Sequence, residues 1–232
     1  MSSVAIEVRN LVKVYQKRSQ PPVRALEGIS FDVPQGRIFG LLGPNGAGKT
    51  TTLKILTTLL PATSGSARIL GYDVAAHPLE VRKNICVVLQ ENAAELYLSL
   101  RDNFRTYGRF HGLNWREIEV RADRVMELFG LDEYRNQKLI DLSGGLKRRL
   151  QVAKVFMVDK PVVFLDEATT GMDAINKRAT IQAIREEARR GRTCSVRWNR
   201  EWSARHLSRP TPDAGHTNTK RMFARVAIAC AA

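Results

Sequence analysis

The chain has 232 residues, 44% of them hydrophobic, which is enough to bury a core and argues against wholesale disorder. No window holds the roughly 18 consecutive apolar residues that a membrane span needs, and the first ten residues lack a basic flank followed by an apolar stretch, so neither a transmembrane helix nor a secretory signal is expected. The net charge of +14 raises a nucleic-acid or anionic-membrane partner, but residues 194–232 alone hold seven Lys/Arg against two Asp/Glu, and the remaining basic residues lie as scattered singles and pairs on helix faces, where solvation is the default reading. Three cysteines, Cys86, Cys194 and Cys230, form neither a disulfide framework nor a metal spacing.

In chain order, "VAIEVRNLVKVY" (4–15) and "GISFDV" (28–33) alternate at period two and predict an antiparallel, half-exposed sheet. "RIFGLL" (37–42) is continuous and apolar up to Gly43, as a strand buried on both faces would be. Residues 49–60 then read as a helix, and "SARIL" and "NICVVL" as strands. From about 98 to 140 the pattern turns helical: Ile118, Ala122, Val125, Met126 and Phe129 share one face, and Gly130 ends it. The buried strand "PVVFLD" (161–166) and a helix closed by Gly191 follow. This alternation predicts an α/β core with a helical insert. After Thr193 no apolar strand is expected, because Cys194, Ser195, Val196, Arg197, Trp198, Asn199 and Arg200 occupy its place.

Two stretches carry chemistry. "GPNGAGKTT" (43–51) matches G-x-x-x-x-G-K-[ST] between a predicted strand and a predicted helix, the context this phosphate-binding motif requires. Gly43, Gly46 and Gly48 allow the backbone to wrap an anion, with Pro44, Asn45 and Ala47 completing the turn and Thr51 following it. The helix start aims positive charge at the phosphates, Lys49 is placed to reach them, and Thr50 to ligate Mg²⁺. "VVFLDEATTGMD" (162–173) delivers Asp166 to the end of a buried strand, where it can hold Mg²⁺; Glu167 faces another way and is free to polarise an attacking water.

The string "LSGGLKRRL" (142–150) resembles the signature of the nucleotide-binding subunits of ATP-binding cassette (ABC) transporters, and is more discriminating than the phosphate loop. The resemblance covers residues 4 to about 193 and implies a P-loop NTPase fold: a mostly parallel sheet with flanking helices, an antiparallel β edge subdomain and a small helical lobe at about 91–158, inserted in a domain spanning 1–193. It implies ATP and Mg²⁺ as ligands. It also implies a head-to-tail pairing with a second ATP-binding subunit, in which Ser143, Gly144 and Gly145 meet the γ-phosphate held by the opposite subunit. By the same resemblance Tyr15 stacks on adenine, Gln90 contacts metal and attacking water, and Asp173 passes signals across the dimer. Leu146 stands where many members carry Gln, and Ala168 where proline is usual; a signature followed by basic residues looks more like drug and polymer exporters.

The implied function is ATP hydrolysis energising a separate transmembrane permease from the cytoplasmic face of the membrane, with export the expected direction and no nucleic acid expected. The 53 residues from Gln90 to Ser143 are too few for a long coiled-coil insert. A soluble ABC-type ATPase acting on nucleic acid or ribosomes is the alternative class, and a truncated, nucleotide-binding but hydrolysis-impaired subunit a third. In the family a strand and then a γ-phosphate-contacting histidine follow about 32 residues after the glutamate, which here is Asn199; His206 is 39 residues on. Residues 194–232 are therefore expected to be an atypical basic tail, poorly ordered or produced by a shifted reading frame, and hydrolysis is expected to be weaker than binding.

Overall fold

A computed structural model describes residues 3–16, 19, 21–88, 94–166, 169, 171–197 and 227–231. Strand β1 (Val4–Tyr15) matches the alternating run residue for residue. It pairs antiparallel with β2 (Val23–Pro34) on one side and β4 (Ser64–Ile69) on the other, and β4 is flanked by the two-residue β5 (Tyr72–Asp73). Ala5, Ile6, Val8 and Leu11 of β1 are buried, so one face of this sheet is apolar and the other meets solvent.

The second sheet runs β6 (Ile85–Val88), β7 (Val162–Asp166), β8 (Thr193–Arg197), β3 (Ile38–Leu42) and β9 (Ala227–Ala231). The first four are parallel and β9 is antiparallel to β3. Helices α1 (Lys49–Leu56), α2 (Pro78–Asn84), α3 (Leu100–Phe110), α4 (Trp115–Leu128), α5 (Gly144–Met157) and α6 (Ala174–Arg189) complete the fold. One core cluster lies between the two sheets and includes Phe39, Leu53, Ile69 and Phe164; the other joins the central sheet to α3, α4 and α5 through Phe104, Phe129 and Phe156. Helix α4 begins at the Asn114 to Glu117 capping box, and its buried residues are the expected Ile118, Ala122, Val125 and Met126. Among the described residues no helix is long and apolar enough to cross a membrane.

One expectation fails at the end of the chain. A strand does follow the helix that ends at Gly191: β8 sits at the centre of the parallel sheet, with Thr193, Cys194, Ser195 and Val196 buried. Its backbone is paired on both sides, by β7 and β3, and Cys194 N donates to Arg37 O at 3.0 Å while Thr193 N donates to Pro161 O at 2.8 Å. Small Cys and Ser side chains fit between two neighbours, so hydrogen bonding and volume serve where hydrophobicity does not. The acid-bearing strand β7 therefore has partners on both edges. Residues 227–231, within the stretch expected to be an atypical basic tail, form β9 against β3. The edge of β3 offers them unpaired backbone groups. Asn199 and His206 lie outside the described residues.

Candidate functional site

The phosphate loop leaves the carboxyl end of β3 and enters α1. Gly46 and Gly48 have φ of 79° and 88°, in the left-handed region that glycine enters without steric cost. The two differ in what surrounds them. A Cβ on Gly46 would meet nothing within 4 Å, so this position borders open space; a Cβ on Gly48 would lie 2.4 Å from the Ala25 carbonyl oxygen and 2.6 Å from Leu26 Cδ2. Gly48 is thus required by packing against β2, and Gly46 borders open space. Lys49 Nζ donates to the carbonyls of Gly43 (2.7 Å) and Pro44 (2.8 Å), folding its ammonium over the loop. Ala47 is buried and Ala47 N donates to Pro44 O at 3.2 Å, closing the turn; Pro44 and Asn45 are exposed. Thr50 is half-buried in the first turn of α1, and Thr51 Oγ1 lies 3.4 Å from the Tyr15 hydroxyl, which brings the end of β1 to the loop.

Asp166 ends β7 on the same edge of the sheet and is buried, at 3% exposure. An ionised carboxylate so placed requires a cationic or hydrogen-bonding partner. With the Thr50 hydroxyl it offers the hard oxygen donors that suit Mg²⁺, which keeps few protein ligands and shares its shell with phosphate oxygens. The residues present fit that ion. Gln90 and Glu167 lie outside the described residues.

A second cluster forms at the start of α5. Ser143 is its N-cap, with Oγ accepting from Leu146 N at 3.2 Å, so the helix begins with exposed amides at the exposed Ser143 and Gly144. A Cβ on Gly145 would come within 3.5 Å of Gly171 O and 3.6 Å of Met172 Cα, so the signature start packs against the segment leading to Asp173. Asp173 caps α6, accepting from the amides of Ile175 and Asn176 at 2.9 Å each and from the Asn176 side chain. Those bonds, the Asn176 amide foremost, hold its carboxyl below the usual range. Ser143 to Gly145 are held by Leu146, Lys147, Gly171 and Met172. The residues expected to bind nucleotide thus fall into two groupings, the phosphate loop with Asp166 and the signature with Asp173.

Sequence reasoning assigned the basic residues of α5 to a solvated face, and the structure overturns that for three of them. Arg148, Arg149 and Lys154 are buried. Arg149 Nη1 donates to the carbonyls of Phe129 and Gly130, both at 3.2 Å, which closes the end of α4. Arg149 stands three residues after Leu146 and four before Ala153, the spacing of the buried stripe, and this was the signal available. Lys154 Nζ lies 5.2 Å from the centre of the Tyr107 ring, and burial pulls its ammonium down to about 8. A third group ties α4 to α6: the fully buried Glu187 meets Arg124 at 2.7 Å and Arg192 at 3.0 Å.

Residues 26–170 match the family model described as ABC transporter. The chain belongs to the ABC transporter family. Among curated relatives of this family it is 39% identical over 181 residues to the "Daunorubicin/doxorubicin resistance ATP-binding protein DrrA" of Streptomyces peucetius, covering 78% of this chain and 53% of that protein. It is 32% identical over 188 residues to the "Linearmycin resistance ATP-binding protein LnrL" of Bacillus subtilis, covering 81% and 59% respectively. The chain therefore spans a little over half the length of these relatives. Among solved structures, one titled "Structure of ATP binding subunit of ABC transporter" superposes with a TM-score of 0.73 at 25% identity, over 86% of this chain and 81% of that one. CbiO1 from Clostridium perfringens, described as part of the ABC transporter complex cbiONQ, superposes with a TM-score of 0.74 at 23% identity, over 85% and 79%. The second likeness shows the ABC nucleotide-binding fold.

Proposed function

We propose that this ABC-family chain binds and hydrolyses ATP as one of a pair of subunits that drive a separate transmembrane permease. The observation that supports this reading is that Gly46, Lys49 and Thr50 follow β3 and the buried Asp166 ends β7, at the same edge of one parallel sheet, with an exposed helix start at Ser143. The loop amides and Lys49 bind the phosphate chain and orient its terminal group. Thr50 and Asp166 would hold Mg²⁺, which supplies charge neutralisation to the phosphate oxygens. Glu167, next in the chain after Asp166, is assigned as the base that takes a proton from water, and Gln90 as its companion. Ser143, Gly144 and Gly145 complete the site of a second copy, where the anion stabilised is the γ-phosphate on that copy's loop.

The relatives named for resistance to daunorubicin, doxorubicin and linearmycin support export as the direction, and a permease partner places the subunit at the cytoplasmic membrane face. Fluorescent ATP titration of the full chain and of Lys49→Ala tests the nucleotide reading, with binding weakened at least tenfold in the variant. Affinity purification from its host tests the rest: a polytopic membrane protein is expected to co-purify, and recovery of RNA or DNA instead would refute the transport role.

A further inference from the structure

The guanidinium of Arg148 joins the signature helix to the end of the acid-bearing strand. It is five residues beyond the N-cap Ser143, about 7.5 Å along α5 at 1.5 Å per residue, and is only 9% exposed. Its Nη1 donates to Gln151 Oε1 at 2.8 Å, and its Nη2 donates to the backbone carbonyl of Asp166. One planar fork thus joins the signature helix to the last residue of the acid-bearing strand. Burying an arginine carries a desolvation cost of several kcal/mol, which limits such groups to sites where their hydrogen bonds are met. Lysine does not reproduce this arrangement, because an ammonium is a single point, whereas Gln151 Oε1 and the Asp166 carbonyl are reached by separate nitrogens.

From this geometry we infer that Arg148 is a positioning residue coupling the signature helix to Asp166, so that an anion docking on Ser143 to Gly145 from the opposite copy adjusts the metal-holding acid of this copy. The inference rests on the nucleotide reading above. Helix α5 is a rigid element of 14 residues, and a pull on its first turn reaches Arg148 before any loop can absorb it. The coupling runs through the main-chain carbonyl of Asp166 rather than through its carboxylate. The chain would then sense its partner's ATP through the metal site, by a route separate from the contact of Gly145 with the segment leading to Asp173.

The test uses the full chain, Arg148→Lys, Arg148→Met and Gln151→Leu. A fluorescent ATP analogue is titrated once in EDTA and once in Mg²⁺, and thermal melting is followed by circular dichroism. The quantity read is the ratio of the two dissociation constants, which needs no turnover. In Arg148→Lys and Arg148→Met the affinity in EDTA is expected to stay within twofold of the parent chain while the tightening by Mg²⁺ falls at least fivefold. Gln151→Leu, which leaves the Asp166 contact in place, retains most of the tightening. If Arg148→Met does not fold, Arg148→Lys decides the matter. Equal tightening in the parent and the Arg148 variants would overturn the inference alone, as would affinity lost equally in EDTA and Mg²⁺, the mark of a purely structural role. A parent chain that binds no nucleotide would refute the nucleotide reading and the inference with it.

Discussion

Alanine at Gly46 and at Gly48 makes the same chemical change with opposite expected consequences. Both glycines have positive φ, so each alanine carries the left-handed cost of about 1–2 kcal/mol. At Gly46 nothing further is added, because the new methyl meets no atom within 4 Å. At Gly48 the methyl would sit 2.4 Å from a backbone carbonyl, a contact that forces the loop or β2 to move and adds an overpacking cost of about 1–3 kcal/mol. The totals are about 1–2 kcal/mol for Gly46→Ala and about 2–5 kcal/mol for Gly48→Ala. For a chain of this length each kcal/mol lowers Tm by about 2–4 °C, so roughly 5 °C is expected for the first and roughly 10 °C or more for the second. Nucleotide affinity should not follow stability. The Gly46 methyl projects from the open side of the loop, where the phosphates are proposed to bind, so Gly46→Ala, the better folded variant, should still lose ATP at least tenfold. Circular dichroism melts and fluorescent ATP titrations on both variants provide the check. Equal melting temperatures, or a Gly46→Ala protein that binds ATP as the parent does, would refute the assignment of one glycine to packing and the other to the anion.

Glu187→Ala removes the buried carboxylate shared by Arg124, Arg190 and Arg192 and should cost about 3 kcal/mol, read as a lowered urea midpoint, while a loss below about 1 kcal/mol would mean the cluster is dispensable. Lys154, pulled by burial to about 8 from an ordinary 10.5, is charged in both states below pH 8 and binds more proton unfolded between about pH 8 and 10.5, so its contribution makes the fold more stable as pH rises through that window. Lys154→Met should therefore be more stable than the parent at pH 7 by no more than about 3 kcal/mol, with the advantage shrinking toward pH 10.5 in parallel urea melts. Ser195→Ala removes a hydroxyl that has no hydrogen-bond partner among the described residues and should raise stability by about 1 kcal/mol; a loss of similar size would show that the hydroxyl is bonded. Finally, if Asn199 stands where the resemblance implies a histidine, steady-state ATPase activity is expected to fall further below that of a relative carrying the histidine than ATP affinity does, and equal turnover would contradict this.

The parts of the fold that were legible are those where one physical signal dominates. β1 is dominated by period-two alternation, and its bounds match the alternating run; the phosphate loop is set by glycines and a lysine at a characteristic spacing. The stripe on α4 was legible for the same reason. What was missed depends on neighbours. Cys194 and Ser195 have no strand signature of their own; they become a central strand because β3 and β7 saturate their backbone. Arg148 and Arg149 look like surface charges until Asp166, Phe129 and Gly130 bring carbonyls to them. The pairing of Gly145 with Gly171 and Met172 joins motifs far apart in the chain, which spacing alone does not show.

The strand that the sequence seemed to lack also works as a ruler. In the register of the parallel sheet Arg197 is level with Leu41 on one side and with Asp166 on the other. The acid is therefore carried level with the end of β3, two strand spacings away, or about 9.6 Å. Were β8 absent and β3 to pair directly with β7, that gap would close to about 4.8 Å, too narrow for an ion and a phosphate group to lie side by side. Two of the small side chains of this strand, Cys194 and Ser195, let the sheet close around it while its backbone keeps the loop and the acid one ligand apart.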